Sequence, residues 1–76
     1  MIALKSRHYA VLHYISNYTH DNGYAPLLRE IAVHFNVSIP TVTWYVQTLE
    51  DRGFIERTYY KRRGLELTQK YWGLIP

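Results

Sequence analysis

The sequence predicts an α+β domain, mostly α: a three-helix bundle followed by a two-stranded β-hairpin. Three observations predict it. Apolar residues recur at three- and four-residue intervals through most of residues 5–52, the period of a helix with one buried face. Two of those helical stretches are separated by only about three residues, Asn36-Val37-Ser38. After Gly53 the period shortens to two, as in a strand.

The first helix is expected over residues 5–20. Val11, Leu12, Ile15 and Tyr18 share a face, with Leu4 and His8 one or two turns earlier. Ser6 is the candidate cap, and Asp21-Asn22-Gly23 is the stop, Gly23 supplying a left-handed residue. Tyr24-Ala25-Pro26 is an extended connection, because the residue before a proline is pushed out of the helical region. Leu27 or Leu28 opens the second helix with no evident cap. Ile31, Ala32 and Phe35 form its apolar stripe. Asn36 tolerates the left-handed turn, and Ser38 is a good N-cap. The third helix starts at Ile39, with Pro40 in its first turn, where a missing N–H costs nothing. Val42, Tyr45, Val46 and Leu49 face inward, and Gly53 ends the helix region.

Residues 54–60 alternate and are rich in β-formers; Lys61-Arg62-Arg63-Gly64 is the turn; Leu65-Glu66-Leu67-Thr68 returns antiparallel with Leu65 and Leu67 inward. A lone hairpin is marginal in water, so it must pack on the helices. Three helices and such a hairpin make a winged helix-turn-helix. One domain spans 1–76, with the helix-turn-helix at 28–52, the wing at 54–68 and an aromatic tail at 69–76. In the tail, Thr68 starts a helical turn that Gly73 stops. Tyr71, Trp72, Leu74 and Ile75 need cover, either from the first helix or from a second copy in a homodimer.

Composition narrows the function classes. The chain has 76 residues, no cysteine and a formal charge of +3. There is no disulfide framework and no cysteine-based metal site. No run of about 18 apolar residues suggests a membrane span, and no signal peptide is evident. A cytoplasmic location is the expectation. The four histidines lack metal-ligand spacing, and His34 reads as an ordinary helix-face residue. No phosphate loop, nucleophile–base pair or paired carboxylates are visible. The chain is therefore expected not to be an enzyme, with no catalytic residue, no metal and no cofactor.

The outer face of the third helix carries Thr41, Thr43, Trp44, Gln47 and Thr48, small or uncharged until Glu50 and Asp51, which are expected to be solvated. Arg57, Lys61, Arg62 and Arg63 sit within seven residues that contain no acid. A neutral helix face beside a basic wing points to double-stranded DNA, the helix in the major groove and the wing on the backbone.

The ordered set of residues resembles the DNA-binding domain of LexA-type SOS repressors, from Leu4 to Leu67. Leu4, Arg7, Val11 and Ile15 fit that family's first helix; Gly23 and Pro26 its Gly-x-x-Pro connection; Glu30-Ile31-Ala32 its Glu-Ile-Ala; Ser38, Leu49, Gly53, Ile55-Glu56 and Gly64-Leu65 fall in register. The resemblance implies that Ser38, Pro40, Thr41, Thr43 and Trp44 lie at or near DNA. The residues themselves add Gln47, through its amide to adenine, and Lys61, Arg62 and Arg63 on phosphate, with Arg7 and Arg29 as weaker candidates. Trp44 has a second reading, packed against Tyr59 or a partner protein.

The sequence also departs from the family. The turn before the third helix is one residue shorter than in LexA, closer to a Val-Ser-x-x-Thr-Val form. Leu27 replaces a capping Thr, and Thr43 and Trp44 replace two acidic positions. A LexA-type operator is therefore not expected. A chain of this size is also expected to lack the family's self-cleaving Ser/Lys domain and to act as a free-standing bacterial or phage transcriptional regulator, such as a repressor. The alternative function is a winged-helix module that binds a partner protein, favoured by the low net charge, the eight tyrosines and the apolar tail.

Overall fold

A computed structural model describes residues 4–74. Helix α1 (Ser6–Asn22), α2 (Leu28–Phe35) and α3 (Ile39–Asp51) precede strands β1 (Ile55–Arg57) and β2 (Leu65–Leu67) and a single turn, α4 (Gln69–Trp72). The strands pair antiparallel, with Ile55 opposite Leu67 and Arg57 opposite Leu65. This is the winged helix-turn-helix architecture that the periodicity predicts.

Each helix supplies the inward residues its spacing predicts. Val11, Leu12 and Ile15 of α1, Ile31 and Ala32 of α2, and Val42, Val46 and Leu49 of α3 are all buried. Phe54, Ile55 and Leu65 extend this core under the wing, and Leu67 and Tyr45 are half-buried against it. The hairpin is thus carried by the helices, as its length requires.

The caps differ from expectation at the first two helices. Lys5, not Ser6, stands at the N-cap of α1. His8, three residues on, reaches back, its Nδ1 accepting the Lys5 N–H at 3.0 Å. In α2 the Glu30 carboxylate does the same for the N–H of Leu27 at 2.7 Å. Both starts use the returning half of a capping box without a hydroxyl partner. At α3, Ser38 Oγ accepts the Thr41 N–H at 3.3 Å, as expected of an N-cap. The turn between α2 and α3 closes through Asn36, the one non-glycine residue with positive φ (56°) among those described.

The strands are shorter than the alternation suggests. Expected over 54–60 and 65–68, they occupy three residues each. The ladder gains one more bond, from the Thr58 N–H to the Gly64 carbonyl at 2.9 Å. The Thr58 carbonyl then accepts the Lys61 N–H at 3.1 Å, which turns the chain out of the ladder. Tyr59 and Tyr60 therefore belong to the wing tip.

The tail folds onto the domain. Tyr71 is buried, its ring against His13 of α1, with Tyr71 Oη 3.3 Å from His13 Nδ1. Lys70 Nζ donates to the Arg52 carbonyl at 2.6 Å and lies 4.7 Å from the centre of the Phe54 ring. The last turn of α3 has no basic residue of its own. Lys70 supplies the positive charge that the negative end of a helix favours.

At Gly64 a Cβ would collide with the Thr58 carbonyl oxygen, a backbone atom that cannot swing away. Gly64→Ala is therefore expected to cost roughly 1–3 kcal/mol, the range for overpacking a closed site. Thermal or denaturant unfolding of the variant measures it; an unchanged midpoint would mean that the wing loop relaxes freely.

Candidate nucleic-acid interface

Helix α3 divides cleanly. Val42, Val46 and Leu49 are inaccessible to solvent, while Ser38, Ile39, Pro40, Trp44 and Gln47 are exposed and Thr41 and Thr43 half-exposed. The proposed contact residues of the helix thus share one outward side. Their hydrogen bonding is already organised. The Ser38 and Thr41 hydroxyls lie 2.9 Å apart and pair with each other. Thr43 Oγ1 donates to the Ile39 carbonyl at 2.9 Å, so its hydrogen is committed while its methyl and the oxygen's lone pairs remain available. Gln47 Nε2 donates to Asp51 Oδ1 at 3.0 Å and lies 3.5 Å from Glu50 Oε1.

Trp44 packs against His8 and Tyr45, not Tyr59. Its ring lies 5.1 Å from that of His8 and 5.2 Å from that of Tyr45, and it remains 42% exposed. Part of the ring is covered by these two side chains and part remains open. His8 lies beneath it, fully buried, with its ring 4.9 Å from Tyr45. Because Nδ1 accepts the Lys5 N–H, the neutral ring carries its proton on Nε2, which has no partner. Burial, then the charges of Lys5 and Arg52, pushes the imidazole below its ordinary value. Nothing in the sequence separated this buried histidine from a surface one beyond its place on the apolar face.

The wing does not present its four basic residues as one cluster. Lys61 and Arg62 are exposed at the tip. Arg63 turns inward and pairs with Glu30, Nη1 to Oε1 at 2.8 Å and Nη2 to Oε2 at 3.3 Å. The same guanidinium donates to the Ala25 carbonyl at 3.0 Å and lies 4.6 Å over the Tyr24 ring. Tyr18 Oη adds a bond to Glu30 Oε2 at 3.1 Å. Arg63, expected on phosphate, is instead occupied within the protein. The acid that offsets it is distant in sequence and so invisible to a local charge count. The hydrogen bonds from Arg63 and then from the Leu27 N–H hold the Glu30 carboxyl down at about 2. Arg57 is likewise engaged, 4.8 Å over the Tyr59 ring.

Glu50 is not simply solvated either. It accepts from Tyr59 Oη at 3.2 Å, tying the wing tip to the C-terminal half of α3. In the tail, the buried Tyr71 is unavailable for the homodimer surface suggested with Trp72, Leu74 and Ile75. Trp72 and Leu74 are half-exposed, and Ile75 lies outside the described residues.

A helix-turn-helix whose second helix shows a polar outer side, followed by a hairpin with a basic tip, defines a winged helix-turn-helix protein. The chain belongs to the LexA DNA-binding domain family, whose model matches residues 1–64. It is 34% identical over 75 residues to the LexA repressor of Thermosipho melanesiensis, covering 99% of this chain and 38% of the relative. It is 37% identical over 67 residues to the LexA repressor of Limosilactobacillus reuteri, covering 87% and 32%. The chain thus spans well under half the length of the curated relatives it matches. A solved structure of a hypothetical protein from Sulfolobus solfataricus superposes with a TM-score of 0.78 at 25% identity, over 95% of this chain and 53% of that one.

Two adjacent arginines are expected to behave oppositely in a thermal melt. Arg63→Ala should lower the melting temperature and Arg62→Ala should leave it in place; equal effects would remove the distinction. The Glu30 carboxylate, depressed when folded, contributes stability above its unfolded value of about 4.5 that is lost as pH falls towards 2. That acid dependence should shrink in Arg63→Ala.

His8 acts in a higher window. Its folded value lies below the ordinary one of about 6.5, so the unfolded chain binds the proton first. Stability is therefore full above about 6.5 and declines as pH falls below it. His8→Asn keeps an acceptor for the Lys5 N–H and cannot titrate. Denaturant midpoints at pH 7.5 and 5.5 should differ less in that variant than in the parent; an equal difference would assign the dependence to other groups.

Proposed function

We propose that this chain is a sequence-specific double-stranded DNA-binding domain of a prokaryotic transcriptional regulator. Helix α3 enters the major groove, N-terminal end first, and the wing tip lies on the adjacent backbone. The observation that carries the reading is the division of α3. Its apolar residues are spent on the core, leaving an outward row that is uncharged from Ser38 to Thr48. Membership of the LexA DNA-binding domain family supports it.

In this reading Ser38 and Thr41 bond phosphate or a base edge at the start of the helix, where free N–H groups and the positive dipole end favour an anion. Pro40 and the Thr43 methyl meet a thymine methyl. Trp44, anchored on His8, offers the exposed part of its ring to sugar or methyl. Lys61 and Arg62 neutralise phosphate and set register more than sequence. Arg63 contributes indirectly, by holding the wing. Because Thr43 and Trp44 replace acidic positions of the family pattern, the bases preferred are expected to differ from those of LexA.

The test is fluorescence anisotropy of a labelled random duplex, titrated from low to physiological salt. Binding should weaken along a log–log line with a slope of several units, each displaced counterion adding about 0.9. Arg62→Ala should weaken all sequences alike and reduce that slope by about one. An absence of binding at low salt would overturn the proposal.

A further inference from the structure

Resting on the DNA-binding reading above, we propose that Gln47 reads its base as an acceptor only. Its carbonyl oxygen takes a hydrogen bond from an exocyclic amino group, and Asp51 and Glu50 act as positioning residues that hold its amide nitrogen. The chemical class recognised is an amine in the major groove, adenine N6 or cytosine N4.

The geometry comes from three side chains. Gln47 Nε2 lies 3.0 Å from Asp51 Oδ1 and 3.5 Å from Glu50 Oε1. Carboxylates at neutral pH only accept, so the NH2 end of the amide must face them and Oε1 must face away. Glu50 is itself fixed, because Tyr59 Oη donates to the same Oε1 at 3.2 Å. One of the two holding groups, Glu50, is therefore part of the wing–helix junction, while Asp51 makes the shorter bond from one helical turn further on. Hydrogen bonds to charged acceptors are the stronger kind, and they strengthen as water is excluded.

This changes what Gln47 does. A free glutamine reads adenine with both ends of its amide, donating to N7 and accepting from N6. Here the donors are committed to the protein. Each base pair shows one amine in the major groove, at a different place for adenine and for cytosine, so a fixed acceptor selects the base whose amine falls within reach. It also explains two acids on a helix meant to approach phosphate: they orient the reading group.

The experiment begins with selection of preferred duplexes from a random library by the full chain, followed by the same selection with Gln47→Ala. The position whose preference disappears is the one Gln47 reads. At that position the amine-free base, purine for adenine or 2-pyrimidinone for cytosine, should cost roughly 5- to 100-fold in affinity. A 7-deaza purine in the same pair should cost nothing. In the Glu50→Ala/Asp51→Ala variant, checked for an intact melt, the freed amide should make binding sensitive to 7-deaza substitution. A uniform gain in affinity from removing two negative charges cancels in the ratio of analogue to parent duplex. Equal loss with both analogues in the parent protein would overturn the proposal, as would a Gln47→Ala selection identical to the parent's. Failure of the parent to bind any duplex at low salt is a different result, which removes the DNA-binding reading itself.

Discussion

The ion pair between Arg63 and Glu30 fixes where the wing sits. Without it the hairpin would rest on three-residue strands, the burial of Ile55 and Leu65 and the single Tyr59–Glu50 bond. With it, the tip is tied to the start of α2, to the end of α1 through Tyr18, and to the Ala25 carbonyl of the connection between them. Glu30 serves two structural ends at once: it caps α2 at the Leu27 N–H and receives the wing arginine. The Glu-Ile-Ala sequence therefore has a local physical meaning in this chain. The acid closes a helix start that lacks a hydroxyl cap and is also the wing's anchor, while Ile31 and Ala32 fill the core beside it.

The same economy appears around α3. Its inward residues leave only one side for contact, and that side needs the helix to be held against rotation. Ser38 fixes its start, and Lys70 from the tail caps its end through the Arg52 carbonyl. The rings of His8 and Tyr45 pack against Trp44. An exposed tryptophan on a mobile helix would lose rotamer freedom on binding; one already seated on two rings has less to lose. The cost is a buried imidazole with an unpartnered Nε2, which couples helix packing to protonation.

Most of the fold was legible in the sequence because its signals are local. The 3.6-residue period found the inward faces of α1, α2 and α3, and Asn36, Ser38 and Pro40 marked the turn and the start of α3 within a residue. The strand ends were not legible: Tyr59 and Tyr60 are good β-formers, yet the Thr58 carbonyl takes the Lys61 N–H and ends the ladder first. Within the candidate site, the outward row of α3 could be read from the pattern alone. The commitments of its polar groups could not, because they depend on rotamers and on partners from other elements. Arg63 shows the limit most clearly. Its neighbours in sequence are all basic or neutral, and its partner stands 33 positions away.

That long-range pairing also resolves an apparent conflict in the charge pattern. On the DNA-binding reading proposed above, Glu30 and Glu50 close to the wing would repel phosphate if they stood alone. Neither is isolated. Glu30 is neutralised by Arg63, while Glu50 keeps its charge but is held in place by the Tyr59 hydroxyl and the Gln47 amide. The wing is thus fastened on two sides, to α2 through one carboxylate and to α3 through the other. A hairpin too short to hold its own shape acquires a fixed relation to the helix it must accompany. Lys61 and Arg62, which have no such duties among the described contacts, remain free to meet a polyanion. The acids therefore belong to the mechanism of presentation. They accept from the donors that build the frame and, on the proposed reading, leave the exposed Lys61 and Arg62 to meet phosphate.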